Sequence, residues 1–82
     1  MPYLKQQDRD DLDCYLPYPA NPGQLNYLLT KVALRYLDLN GVSYQSINDV
    51  MGAFASAAQE FYRRVAAPYE DGKIRDNGDV YR

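Results

Sequence analysis

A length of 82 residues and a formal net charge of −2 allow a single domain and argue against the basic face that duplex nucleic acid usually needs. One cysteine, Cys14, and no histidine exclude an intrachain disulfide and a zinc site of the Cys/His type. A chain this short has a thin stability margin and commonly adds a staple; with disulfide and zinc removed, self-association is the expected one.

The first segment, residues 3 to 16, is polar and acidic with sparse apolar positions at Leu4, Leu12, Tyr15 and Leu16. Asp8, Asp10, Asp11 and Asp13 suit the start of a short helix, where the macrodipole favours negative charge. They are also the obvious candidates for a carboxylate magnesium site, but a solvated helix start accounts for them, and no metal is expected. Pro17, Pro19 and Pro22 then break periodic structure, and Leu16 to Asn21 reads as an extended connector.

A helix is predicted from 22 to 40. Asn21 is its cap, Pro22 fits the first helical position and Gln24 stands where a capping box needs it. Leu25, Leu28, Leu29, Val32, Tyr36 and Leu39 recur at three and four along one face. Gly41 ends the helix. Tyr27 and Leu34 lie on its opposite face, beside Lys31 and Asp38, as a possible second contact surface.

A second long helix is predicted from 44 to 67, with Ser43 as cap. Ile47, Val50, Met51, Phe54, Ala58, Phe61 and Val65 make an apolar stripe of about five turns. Pro68 is expected to end or kink it. Residues 68–82 are then a charged tail, with room for one more helical turn and a bend at Asn77-Gly78. The fold class is all-α: a small antiparallel helical hairpin with a short N-terminal helix and a C-terminal tail, one domain over 1–82. Such a hairpin has little material to cover two faces, so an oligomer is expected to complete the core.

No histidine means no Ser/His or Cys/His pair within a chain, and no P-loop is present; an enzyme is not expected. Binding is better supplied. Asn48, Gly52, Ser56, Gln59 and Arg63 share one face of the long helix, expected beside the apolar stripe. It is small near its start, polar throughout and cationic at its end. Arg63 and Arg64 are expected near the helix C-terminus, where cations suit the dipole, and their guanidinium forks also match phosphate. Nine tyrosines, against two phenylalanines, are notable, because tyrosine pairs a large ring with a polar tip. Tyr62, Tyr69 and Tyr81 are the candidates to stack on a base, and Asn48, Ser56 and Gln59 to read polar edges. The tail is expected to dock on a neighbouring subunit or over the Arg63 face. No cofactor is expected. No apolar run reaches the roughly 18 residues of a membrane span, and Met1-Pro2-Tyr3-Leu4-Lys5 lacks the apolar stretch of a secretory signal, so a cytoplasmic location is expected.

Several runs carry a resemblance: Met1-Pro2-Tyr3, Leu25-Asn26-Tyr27, Ile47-Asn48-Asp49-Val50, Glu60-Phe61-Tyr62-Arg63-Arg64-Val65-Ala66-Ala67-Pro68-Tyr69-Glu70-Asp71 and Asn77-Gly78-Asp79-Val80-Tyr81. On them the chain resembles, nearly end to end, a family of short uncharacterised proteins of bacteriophages and bacteria, described as a domain of unknown function. The resemblance implies a phage or prophage setting and a host cytoplasm, not an activity. Small phage proteins without catalytic residues often act by occupying something. By analogy with oligomeric sponges that sequester nucleotide signals of bacterial immunity, the expected function is anti-defence binding of a small nucleotide-like ligand between subunits. The alternative is a protein-interaction module that inhibits or assists a host or phage protein; a carboxylate–metal enzyme shared between subunits ranks last.

Overall fold

A computed structural model describes residues 4–81. Every element among them is helical, with no strand: α1 (Gln6–Asp13), α2 (Pro22–Asn40), α3 (Tyr44–Phe61), a five-residue π segment (Tyr62–Ala66) and α4 (Ala67–Asn77). The chain divides into two compact units, Met1–Ser46 and Ile47–Arg82.

In the first unit, α1 is shorter than the acidic run suggests, and Tyr3 lies outside the described residues. The helix starts at Gln6 with Lys5 as an uncapped N-cap, so only Asp8 falls in its first turn. Asp10, Asp11 and Asp13 stand towards the C-terminal end, where the dipole disfavours negative charge. Asp10 and Asp11 instead each accept a hydrogen bond from a glutamine one turn earlier, Gln6 at 2.7 Å and Gln7 at 2.9 Å. The boundaries of α2 are those predicted. Asn21 Oδ1 accepts from the Gln24 amide at 2.9 Å. Gln24 reaches back one residue further than a capping box requires, to the Ala20 amide at 2.8 Å. Gly41 closes the helix at φ +83°, its N–H donating to the Leu37 carbonyl; a side chain is disfavoured in that conformation.

The turn into α3 is tied by two serines. Ser43 Oγ accepts from the Ser46 amide, and Ser46 Oγ accepts from the Ser43 amide while donating to the Gly41 carbonyl at 2.6 Å. The motif is a capping box with serine in the place of Glu or Gln. Ser46, at 3% exposure, is the buried residue among those described; no apolar side chain among them is buried.

In the second unit the helix does not stop at Pro68. The backbone stays helical at Phe61, Ala66 and Ala67, and the helical run continues to Asn77, about 45 Å from Ile47 at 1.5 Å per residue. The expected end at 67 is therefore corrected, and the tail from 68, given room for one helical turn, is helical to Asn77. In an unbroken α-helix the Pro68 ring would strike the carbonyl four residues back, and no amide would bond it. The hydrogen-bond ladder changes register just before the proline: Ala67 donates to Tyr62, five residues back. The wider turn accepts the ring, and Pro68 falls in the first turn of α4, where its missing amide matters least. Gly78 at φ +85° then ends α4, donating to the Ile74 carbonyl at 2.8 Å.

Candidate functional site: an arginine pair on a π turn

Arg63 and Arg64 lie inside the π segment. Their expected place at a helix C-terminus is corrected, because the helical run continues through α4 to Asn77. A side chain holds them instead. Glu60, one turn earlier, accepts from Arg63 Nη2 on both oxygens, at 3.0 and 3.2 Å, and from Arg64 Nε at 2.9 Å. The arginine side chains remain 66% and 64% exposed. The three groups carry a net charge of +1. Hydrogen bonds from Arg64 and then Arg63, aided by their charge, hold the Glu60 carboxyl below its ordinary 4.5. Both pairs face water, so they order the guanidinium groups more than they stabilise the helix. Glu60 was not among the residues singled out from the sequence. Its signal is the spacing of three and four to two arginines, which places all three on adjoining helix turns.

Other predicted residues divide by height along the helix. At 1.5 Å per residue, Gln59 lies about 6 Å and Ser56 about 10 Å below Arg63. Tyr62 adjoins the pair in the π turn, and Tyr69 follows in the first turn of α4, both exposed. Lys73 approaches the Tyr69 ring at 5.5 Å. Asn48 lies about 22 Å below Arg63, too far to share a small ligand within one chain. Tyr81 is carried the other way: α4 sets Gly78 about 22 Å beyond Arg63, and three further residues reach back about 10 Å at most. Beyond α4 the Tyr81 amide donates to Asp79 Oδ1 at 2.9 Å in a local turn.

Two further expectations change. At about 100° per residue, the Asn48–Arg63 face points roughly 150° from the middle of the apolar stripe, so it lies nearly opposite the stripe rather than beside it. A Cβ on Gly52 would meet nothing within 4 Å, so the backbone at that position is open. Tyr27 and Leu34 of α2 are exposed as expected, with Lys31 5.9 Å from the Tyr27 ring. A shallow groove of ≈ 350 Å³ in the first unit is lined by Pro17, Tyr18, Pro19, Gly23, Gln24, Tyr27 and Leu28; of these only Tyr27 was read from the sequence as part of a contact surface. Among the described residues no three His, Cys, Asp or Glu side chains are grouped to hold a metal, and no helix is long and apolar enough to cross a membrane.

The class so defined is an all-helical chain with unburied apolar faces and a paired-arginine turn flanked by tyrosines. The chain belongs to a family described as a domain of unknown function, DUF6899, whose model matches residues 1–80. No curated protein and no solved structure matches it.

Proposed function

We propose that the protein is a non-enzymatic binder of a small nucleotide-like ligand, acting as a homo-oligomer that holds the ligand between subunits and so sequesters it. The observation that carries this reading is the Glu60–Arg63–Arg64 cluster. Two exposed guanidiniums are held at one turn by a single carboxylate, and a phosphate offers the same acceptor geometry with more charge. On binding, phosphate takes over the arginine hydrogen bonds that Glu60 now accepts. Tyr62 and Tyr69 provide rings for a base, and Gln59 and Ser56 provide polar contacts. Asn48 and Tyr81, too distant in their own chain, join from a neighbouring subunit. In a phage setting such a binder acts in the host cytoplasm as an anti-defence sponge.

Isothermal titration with a panel of cyclic and linear nucleotides tests this. One class of ligand is expected to bind, and Arg63→Ala or Arg64→Ala to weaken it at least about tenfold, or 1.4 kcal/mol. Absence of heat with every nucleotide overturns the reading.

A second reading, a protein-interaction module, is favoured by the exposed Tyr27 and Leu34 on α2. It requires a stoichiometric protein partner that Leu34→Asp releases.

A further inference from the structure

We propose that the apolar stripe of α3 and the π segment is an interface with a second copy of this chain, the two helices packing antiparallel about a two-fold axis level with Ser56. The proposal does not depend on the nucleotide reading.

The stripe lies within the second unit, and Ile47, Met51, Phe54, Phe61 and Val65 along it are each between 41% and 64% exposed. Together they leave on the order of 500 Å² of mostly apolar surface in water. A standard interface buries about 800 Å² per partner, and a homodimer interface is about 65% apolar, which also comes to roughly 500 Å². The surface open on this one face thus matches what a stable dimer needs.

The choice of a second copy follows from the order of residues along the stripe. Reversed about residue 56, it is complementary to itself. Phe54 comes opposite Ala58 of the second copy, a large side chain against a small one, as interdigitated packing demands. Met51 comes opposite Phe61, and Ile47 opposite Val65. The charged residues of α3, Asp49 and Glu60, both lie on the far side by helical angle. By the same angle Arg63 of the π segment points away from the stripe and Arg64 flanks it at roughly 90°, so no charge sits at the centre of the interface, in keeping with the depletion of charge at interface cores. In the same register Asn48 of the second copy comes level with the π turn, on the flank that Tyr62 and Gln59 occupy.

The experiment is native mass spectrometry and multi-angle light scattering of the full chain at micromolar concentration. The wild type is expected to have the mass of two chains or an even multiple. Ile47→Lys alone and Val65→Glu alone each lower the mass to that of one chain, or shift the equilibrium towards it at least tenfold. The two substitutions in one chain restore assembly, because each cation meets a carboxylate of the second copy while the two sites in one helix stay about 27 Å apart. The rescue separates a lost interface from a lost fold. A monomeric wild type overturns the proposal. So does an oligomer whose mass neither substitution changes, or a double variant no better assembled than either single one.

Discussion

At the scale of single residues, Glu60 decides the state of the arginine pair. Its carboxyl is held below 4.5 by hydrogen bonds from Arg64 and Arg63. A depressed carboxyl stabilises the folded chain above its ordinary titration range, and that contribution is lost as pH falls through the lowered value. The Glu60 side-chain carbon resonance is therefore expected to titrate with a midpoint below 4.5, and to move back towards it in Arg64→Ala. An unchanged midpoint in that variant would show that Arg64 does not hold the carboxylate. The arginines themselves were legible in the sequence as an exposed pair. Their anchoring was not, because the expected helix end at Ala67 supplied a dipole explanation that left no role for Glu60.

The elements show where local chemistry reads correctly and where it does not. Both ends of α2 were legible because each is set by a side chain or glycine acting on its own neighbours: Asn21 at the start, Gly41 at φ +83° at the end. The start of α3 was legible from Ser43, although the reciprocal serine, Ser46, was not. Pro68 was legible as an end or kink with room for one helical turn after it, and it does stand in the first turn of α4; nothing in its neighbours announces the register change upstream or the length of α4. Pro68→Ala tests the cause of the π segment. With the ring removed and an amide restored, residues 62–66 are expected to return to the α ladder, and urea denaturation to report a gain of about 1 kcal/mol, below the ~3 kcal/mol of an interior proline. Loss of one residue's worth of extra turn rotates α4 by roughly 100° against α3, moving Tyr69 relative to Arg63. Persistence of five-residue amide contacts in the variant, by nuclear Overhauser effects, would mean that the proline is not the cause.

For the whole molecule the governing fact is that no described apolar side chain is buried, although 46% of the residues are hydrophobic. Isolated helices are marginal in water, and burial of apolar surface is the main source of folding free energy. Covering these faces therefore belongs to the same equilibrium as ordering the chain. Thermal unfolding followed by circular dichroism is expected to rise in midpoint with protein concentration, as for any fold linked to association. A midpoint independent of concentration over two decades would separate folding from assembly. The periodicity of the stripe, and the need to cover it, were legible in the sequence; the length of the helix that carries it was not, since that depends on how one proline is accommodated.

Eight tyrosines fall within the described residues, and all eight are exposed, from Tyr36 at 40% to Tyr18 at 98%. With no tryptophan in the chain, phenol rings are also its dominant chromophore. The molecule thus carries a distributed set of chemical reporters at Tyr15 and Tyr18 in the connector region, Tyr27 and Tyr36 on α2, Tyr44, Tyr62 and Tyr69 along the second helical run, and Tyr81 beyond it. Nitration followed by peptide mapping turns that set into a footprint. Rings that escape modification on concentration trace the contact between copies, and rings that escape only when a nucleotide is added trace the ligand.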